Sequence, residues 1–409
     1  MRFHVLGIGP IGSLLAFHLR RAVPPAYIVT LVHKTQRQAN NFNASGGAIR
    51  VELDGVALSE AKFEGEVFEA YHDRELIQPS KSGQIPEASP DPLHTAPGPS
   101  ATAIQSLFVT TKAHQTIGAI RRLLPRLSGN STIVLLQNGM GIYEQLIQDV
   151  FRNPAQRPHF ILASNTHGAW FKRFYSVVHT GFGEIQFGIV PDTDGRQFEA
   201  SLANFTAPRS EQRLNLDDIT NPEDPLHSRY KSLRSTVSAL CSLEEGLRTS
   251  WRPIAQVQES MLRKLVVNSV INPLTAIMGC RNGDIFKNPA SHRIMRRVCQ
   301  EAADVLAAQV RVDTELRLNG NTAHASVGRI PRSLTQSHLE EECLRVAELT
   351  KGNISSTLND IRRGRYTEID FLNGYLMNLG ATYGVPMPAT STLLNLVKMR
   401  AAIPLDQQL

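Results

Sequence analysis

A segment in the C-terminal half carries residue types that could reduce a carbonyl group. Lys264, Asn268 and Asn272 recur every four residues among apolar neighbours, so on a helix they form one polar stripe. Buried polar groups need partners, and one ammonium with two amides suits a small, anionic ligand that bears a carbonyl group. An ammonium near a ketone oxygen stabilises the developing charge and can supply the proton. The alternative is a structural lysine that reaches solvent beside two asparagines bonded to backbone.

Two features bear on this stripe. Pro273 lacks an N–H, so it should disturb the helix and free the carbonyl of Ser269. Further along, Gly364 separates two helical patterns, and Thr367 is predicted to cap a helix over residues 367–383. Glu368 in its first turn could keep a nearby lysine charged. The alternative is that Glu368 only interacts favourably with the helix dipole and has no other role.

A glycine-rich turn near the N-terminus predicts a dinucleotide site. The turn Gly7-Ile8-Gly9-Pro10-Ile11-Gly12 follows an apolar strand and opens a helix within a β-α-β unit, which is the context that the motif requires. Its glycines permit a tight turn, approach of backbone to a pyrophosphate, and close packing of helix on strand. The helix N-terminus offers N–H groups to the phosphates. A tight turn without a ligand is the alternative.

The end of the second predicted strand indicates which nicotinamide cofactor is used. An NAD enzyme would place Asp or Glu there, whereas this chain has His33 and Lys34, with Arg37 nearby. These cations attract the 2′-phosphate that a carboxylate would repel. The sequence therefore favours NADP(H) over NAD, and a solvated basic loop is the alternative.

Two further loops follow strands at the edge where an open α/β sheet binds ligands. One contains Lys112, in Thr110-Thr111-Lys112-Ala113, and the other contains Asn138, in Gln137-Asn138-Gly139-Met140-Gly141. The second loop is expected to lie against the ribose and nicotinamide of the cofactor, although it could be merely a flexible turn.

Taken in order, these motifs resemble the ketopantoate reductase (2-dehydropantoate 2-reductase) family across nearly the whole chain. The two C-terminal motifs, residues 264–276 and 356–370, are specific, whereas the glycine turn alone is not. The resemblance implies reduction of 2-dehydropantoate to (R)-pantoate with NADPH, a step towards pantothenate and coenzyme A. Three polar insertions make the chain longer than the compact bacterial members, which indicates a fungal member, and a homodimer is a possible assembly.

The resemblance also implies roles for single residues. Lys264 would be the catalytic acid, and Glu368 would assist at the active site and lie by the cofactor. Asn268, Asn272 and Ser356 would hold the substrate. Asn138 would contact both substrate and cofactor, Lys112 would lie by the cofactor, and Lys34 would meet the 2′-phosphate.

Strands and helices alternate in the first half and helices dominate the second. The fold class predicted is α/β: a Rossmann-type doubly wound domain over residues 1–228, followed by an all-helical domain over residues 229–409. Strands are expected at residues 3–6, 27–32, 48–53, 107–110, 132–136, 160–166, 177–179 and 184–189. Helices are expected at residues 11–21, 114–124, 142–150, 233–240, 256–278, 290–310, 339–354 and 367–383. Polar insertions are expected at residues 78–100, 192–225 and 317–332.

Composition argues against several protein classes. The net charge is +6, but the basic residues are scattered and not interleaved with aromatic ones, so we expect no nucleic-acid partner. No apolar run approaches the ~20 residues of a membrane span. The four cysteines form no C-x-x-C pair, so we expect reduced thiols and no metal. An element that begins at Arg2 leaves no room for a signal peptide; we expect a cytoplasmic protein, with mitochondrial import by an internal signal left open.

Two rival functions remain at this point. One is an NADP-dependent dehydrogenase of another 2-oxo acid, because pocket shape sets the substrate range. The other is a non-catalytic relative that serves as a scaffold or regulator, because fold alone does not fix function. The presence of Lys264 and Glu368 argues against the second.

Overall fold

The computed structural model describes residues 1–67, 103–203, 213–319 and 329–403. The chain divides into two compact units. The first comprises Met1–Gln137 and Glu144–Val257, and the second comprises Asn138–Tyr143 and Gln258–Leu409. The expected fold class is confirmed, because an N-terminal α/β region is followed by a helical one.

The regular elements are as follows. The strands are β1 (Arg2–Leu6), β2 (Ile28–His33), β3 (Ile49–Leu53), β4 (Val56–Glu60), β5 (Glu64–Val67), β6 (Ser106–Val109), β7 (Thr132–Leu135), β8 (His159–Asn165), β9 (Gly168–Arg173), β10 (Ser176–Gly181), β11 (Ile185–Ile189) and β12 (Thr249–Trp251). The helices are α1 (Pro10–Ala22), α2 (Gln36–Ala44), α3 (Ala113–Leu123), α4 (Ile142–Asp149), α5 (Leu216–Ile219), α6 (His227–Cys241), α7 (Glu244–Leu247), α8 (Ile254–Met278), α9 (Pro289–Asn319), α10 (Gln336–Leu349), α11 (Ser356–Arg362), α12 (Asn373–Tyr383) and α13 (Pro388–Ala402).

The larger sheet of the first unit has eight strands in the order β12-β11-β8-β7-β6-β1-β2-β5. Strand β1 lies parallel to β2 and β6, and β7 and β8 continue the parallel arrangement, whereas β11 runs antiparallel to β8. Parallel strands end at the same edge of a sheet. The loops after β1, β2 and β6, which carry Gly7, Lys34 and Lys112, therefore share the edge where such sheets bind ligands.

A second, four-stranded sheet in the order β4-β3-β10-β9 packs against α1. The strand expected at residues 48–53 exists as β3, but it belongs to this sheet and not to the parallel one. In β3 the buried Ile49 and Val51 alternate with the exposed Arg50. That alternation is typical of a strand with one covered face and does not suit a sheet covered on both faces.

Helix α6 packs within the first unit. Its Tyr230, Leu233 and Val237 are fully buried in the same core as Phe3 of β1. The domain boundary predicted after residue 228 therefore differs from the division in the structure, which falls after Val257. Helical spacing looks the same whether a helix packs on a sheet or on other helices.

The second unit is built around helices α8, α9, α10 and α12. Val266 and Val270 of α8 and Val298 and Val305 of α9 are fully buried in one core. Several predicted helix bounds were wrong. The helix expected to end at residue 310 continues to Asn319 as α9. The helix expected over residues 339–354 ends at Leu349. Across all four described ranges, no helix has the length and apolar character to cross a bilayer.

The start of α12 also differs from its prediction. Thr367 caps no helix, because a 3-10 turn (Ile369–Phe371) follows Glu368, and Leu372 adopts ψ −95°, so the α-helix begins at Asn373. Of the polar insertions, residues 78–100 lie outside the described residues. Residues 192–225 are described except for 204–212, and the Tyr230 hydroxyl fixes this insertion by donating to Asp192 at 2.7 Å.

Candidate active site

The glycine turn after β1 has the backbone that a dinucleotide turn requires. Gly7 has φ +98°, which favours glycine. A Cβ on Gly12 would lie 2.1 Å from the carbonyl oxygen of Gly7, so any side chain there would clash. A Cβ on Gly9 would have no atom of the described residues to contact within 4 Å, apart from its chain neighbours and its own helix. The turn therefore has no room for a side chain at Gly7 or Gly12. It is open at Gly9, where a pyrophosphate would approach.

The turn is held rigidly by the neighbouring strand. Thr110, directly after β6, donates its hydroxyl to the carbonyl oxygens of Gly7 at 2.6 Å and Leu6 at 3.1 Å. Ile8 packs against the core, and Pro10 occupies the first turn of α1 and needs no N–H partner there. Ile11 follows on the same helix. The N-terminus of α1, where backbone N–H groups can bind an anion, is thus held in place.

The three basic residues at the end of β2 and after it have different surroundings. His33 is buried between the rings of Phe42 and Tyr175, and burial lowers its pKa. Lys34 and Arg37 are exposed. The side chains available to a phosphate at this edge are therefore those of Lys34 and Arg37, and His33 serves the core.

Lys112 stands at the N-terminus of α3 and is half-buried. Its carbonyl accepts from the Thr116 hydroxyl at 3.2 Å, and Thr116 in turn accepts from the amide of Gln137 at 2.9 Å. These bonds join the loops after β6 and β7, so the sheet edge that carries Gly7 has a defined shape.

In the second unit the ammonium group of Lys264 is held by Asn138. The Lys264 Nζ donates to Asn138 Oδ1 at 2.8 Å. The loop that carries Asn138 is shaped by two glycines with positive φ, Gly139 (+82°) and Gly141 (+96°). It is anchored where the backbone N–H of Met140 donates to the carbonyl of Phe371 at 3.0 Å. A Cβ on Gly139 would lie 2.6 Å from that same oxygen, so glycine is required for the contact.

The charge of Lys264 is set by its surroundings. Burial lowers the pKa of Lys264 to about 8, and the negative charge of Glu368 acts in the opposite direction. Glu368 is buried and stands at the start of the 3-10 turn before α12. The structure therefore brings together Lys264, Glu368 and Asn138, which lie far apart in sequence.

The two asparagines of the stripe lie on α8 with Lys264. Asn272 is buried and Asn268 is half-buried. In the part of the chain that the structure describes, neither side-chain amide has a hydrogen-bond partner; the bond at Asn272 is made by its backbone carbonyl, to Thr275. Buried amides of this kind usually have partners, so both are available to a ligand.

Ser356 is exposed in the first turn of α11, and its neighbour Ser355 has the structural role. The Ser355 hydroxyl caps α11 by accepting from the N–H of Leu358 at 3.2 Å, and it accepts from the Thr275 hydroxyl of α8 at 2.7 Å. This contact places the start of α11 one helical turn from Asn272. Ser356 follows this capping residue directly.

Asn373 also belongs to this region, although the sequence did not indicate it. Pro273 lies inside α8 and leaves the carbonyl of Ser269 without its helical donor, as predicted. The side chain of Asn373 supplies the missing donor, with Nδ2 at 3.0 Å from the Ser269 oxygen. The sequence around Asn373 does not indicate this bond, because the partner is 104 residues away.

Comparisons with known proteins identify the family to which the chain belongs. Residues 3–192 match the family described as ketopantoate reductase PanE/ApbA, and residues 256–401 match the C-terminal part of the same family. The chain belongs to the ketopantoate reductase family. It is thus an oxidoreductase of a family that uses a nicotinamide cofactor.

Relatives and solved structures cover almost the full length of this family member. The probable 2-dehydropantoate 2-reductase of Schizosaccharomyces pombe is 25% identical over 98% of this chain and 96% of that protein. A crystal structure of the probable 2-dehydropantoate 2-reductase of Bacillus subtilis has a TM-score of 0.58 at 21% identity, covering 98% of this chain and 100% of that one. D-mandelate dehydrogenase with NADH and anilino(oxo)acetate has a TM-score of 0.66 at 16% identity, covering 98% and 99%. At these identities the two structures show the fold alone.

Proposed function

We propose that this chain reduces 2-dehydropantoate to (R)-pantoate with NADPH, a step towards pantothenate and coenzyme A. The observation that carries the proposal is the ammonium of Lys264, bonded to Asn138 and facing the charge of Glu368, on a helix face that also presents two unpartnered amides. A cation with two amides suits a 2-oxo acid, whose carboxylate and carbonyl both accept hydrogen bonds.

The residues at the edge of the parallel sheet fit a nicotinamide dinucleotide. When bound, the cofactor supplies the hydride. The open position at Gly9 and the N-terminus of α1 would hold the pyrophosphate, and Lys34 would meet the 2′-phosphate. Lys112, Asn138 and Glu368 are proposed to lie by the cofactor as well.

Lys264 provides the acid chemistry. Because its pKa is about 8, the ammonium form predominates at neutral pH and can donate a proton to the substrate oxygen as negative charge develops there. Glu368 favours that charged form. Asn268, Asn272 and Ser356 are proposed to bind the carboxylate and hydroxyl groups of the substrate, and Asn138 to orient the ammonium and the substrate.

The first experiment follows NADPH oxidation by absorbance with 2-dehydropantoate. We expect Lys264→Ala to lower turnover by ~10²-fold or more, because the general acid is lost. Arg263→Ala, which removes the same charge from the adjacent residue off the stripe, is the control and should retain activity. Equal activity of the Lys264 variant and the wild type would refute the assignment of the acid.

The substrate is tested in the same assay with a series of 2-oxo acids that differ in the size of the side chain. If 2-dehydropantoate is inert and another 2-oxo acid is reduced, the chain is a dehydrogenase of that acid, and the role of Lys264 stands. If NADPH binds and no oxo acid reacts, the chain is a non-catalytic relative that serves as a scaffold or regulator.

Cofactor preference is tested at Lys34. Lys34→Glu should raise the KM for NADPH by roughly tenfold or more, since charge-assisted bonds to phosphate contribute about 1.5–3 kcal/mol. The KM for NADH should change little or fall. If Lys34→Glu leaves the ratio of the KM values for NADPH and NADH unchanged, Lys34 does not bind the 2′-phosphate.

A further inference from the structure

We infer that Asn373 is a positioning residue for the reaction: its side-chain N–H replaces the helical donor that Pro273 removes, and this bond holds the substrate-binding face of α8. The inference rests on the proposed function, because it assigns Asn373 an effect on binding of the oxo acid.

The first support is the location of the bond. In an α-helix the N–H of residue 273 would donate to the carbonyl of Ser269, but Pro273 has no N–H. Asn373 Nδ2 donates to that oxygen at 3.0 Å. Ser269 and Asn373 are both fully buried, so water is not available to take the place of the amide.

The second support is what the bond connects. On α8 the Ser269 carbonyl lies between Asn268 and Asn272, the two proposed substrate ligands. On the other side, Asn373 begins α12, five residues after Glu368, and the intervening turn contains Phe371, whose carbonyl anchors the loop of Asn138. The bond therefore connects α8, which carries the stripe, to the segment that carries Glu368, and this segment in turn anchors the loop of Asn138.

The third support is that Asn373 is poorly suited to a purely stabilising role. Its Oδ1, like the hydroxyl of Ser269, has no hydrogen-bond partner in the described chain. A buried polar atom without a partner is costly. An apolar residue would fill this space without the orphan Oδ1, but it would leave the buried Ser269 carbonyl without a donor. The value of Asn373 therefore lies in the N–H that it directs at α8.

The test is a double-mutant cycle between Asn373→Ala and Pro273→Ala. Alanine at 273 restores an N–H that can reach the Ser269 carbonyl within the helix. We expect Asn373→Ala in the wild-type background to raise the KM for the oxo acid by about tenfold, with a smaller change in kcat, since mispositioned ligands weaken binding. In the Pro273→Ala background the same change should alter the KM by less than about twofold, because the donor is no longer needed.

The control is Asn378→Ala, which removes an exposed asparagine from the same helix. It should leave both constants unchanged. An equal loss from Asn373→Ala in both backgrounds would show that Asn373 merely fills space and would overturn the inference. If Asn373→Ala does not fold, Asn373→Leu, which keeps the volume without a donor, enters the same cycle.

Amide hydrogen exchange in the segment 264–278 provides a readout that does not depend on activity. Asn373→Ala should accelerate exchange there by about tenfold relative to Asn378→Ala, and Pro273→Ala should reverse the effect, because local opening follows the loss of a buried bond. If the wild type reduces no oxo acid, the proposed function fails, and unchanged exchange would separately refute the tie between Asn373 and α8. If the wild type is active and neither the KM nor exchange responds, the inference alone fails.

Discussion

The protonation state of Lys264 reflects two opposing influences. Burial lowers the pKa of its ammonium to about 8, and the charge of Glu368 raises it. A general acid is most effective when its pKa lies near the working pH. The pairing of a desolvated lysine with a buried carboxylate therefore suits a proton donor that works near neutrality.

This balance predicts the pH dependence of the reaction. The protonated lysine is the active form, so kcat/KM for reduction should fall as pH rises through about 8. Glu368→Gln removes the charge that raises the pKa of Lys264, so the same fall should occur at a lower pH. The measurement is the pH profile of kcat/KM for the two proteins, each normalised to its own maximum.

Asp370→Asn is the matched control, since Asp370 is exposed and pairs with Lys398 at 2.6 Å. It should leave the profile in place. A Glu368→Gln profile that coincides with that of the wild type would contradict the electrostatic coupling of Glu368 to Lys264.

At the residue scale, spacing within one helix was predictable and long-range partners were not. The stripe of Lys264, Asn268 and Asn272 follows from helical periodicity, and the free carbonyl at Ser269 follows from the chemistry of proline. That Asn373 satisfies this carbonyl depends on packing between distant segments. Likewise, the burial of His33 depends on aromatic rings contributed by later elements.

At the scale of the elements, helix α13 depends on a cap from another helix. Its own N-cap residue, Met387, provides no side-chain bond. The carboxylate of Glu301 in α9 accepts instead from the backbone N–H groups of Ala389 and Thr390, both at 2.9 Å, and from the Thr390 hydroxyl at 2.8 Å. A negative charge at this end also interacts favourably with the helix dipole.

We expect Glu301→Gln to lower the free energy of unfolding of the second unit by about 2 kcal/mol, because the charged acceptor of three bonds is lost. Urea unfolding followed by far-UV circular dichroism measures this change. Asp304→Asn, at an exposed acid one turn along α9, is the control and should change stability by less than about 0.5 kcal/mol. A loss no greater than that of the control would mean that Glu301 does not cap α13.

The same contact explains why α13 was absent from the elements predicted by sequence. Pro388 could have marked its first turn, but no Ser, Thr, Asp or Asn precedes it, and the cap lies 88 residues away. Strand β3 shows a similar limit. Its apolar residues predicted a strand correctly, whereas its place in the second sheet depends on pairing with β10, which periodicity does not specify.

At the scale of the whole molecule, the first unit contains several histidines that folding keeps neutral. Burial lowers the pKa of His159 to about 4 and that of His18 to about 4, and it also lowers the pKa of His33, His167 and His179. His159 donates from Nε2 to the carbonyl of Arg229 at 2.9 Å beneath the ring of Tyr230. These side chains lie among β2, β8, β9, β10 and α1, so their titration affects the whole unit.

The sign of the effect follows from linkage. Below pH 6.5 the unfolded chain binds protons at His18 and His159 that the folded chain excludes until pH falls to about 4. Stability should therefore decrease as pH falls through this window. His159, which is nearly fully buried, should alone contribute a loss of about 2 kcal/mol between pH 7 and pH 5. Carboxylates affect stability at a lower pH than these histidines do. Burial tends to raise the pKa of Glu66, but hydrogen bonds from His4 and Arg126 outweigh this effect and lower the pKa to about 2.

Both tryptophans of the chain, Trp170 and Trp251, lie in the first unit, so urea unfolding followed by tryptophan fluorescence reports on it directly. The measured free energy should fall steeply from pH 7 to pH 5. His159→Gln keeps a donor for the Arg229 carbonyl but cannot titrate, so its pH dependence should be shallower by about 2 kcal/mol over the same interval. His114→Gln, at an exposed site, should keep the slope of the wild type. If His159→Gln and the wild type lose stability in parallel, the acid sensitivity of the first unit arises from groups other than His159, and the exclusion of protons from its core is weaker than the burial of this residue implies.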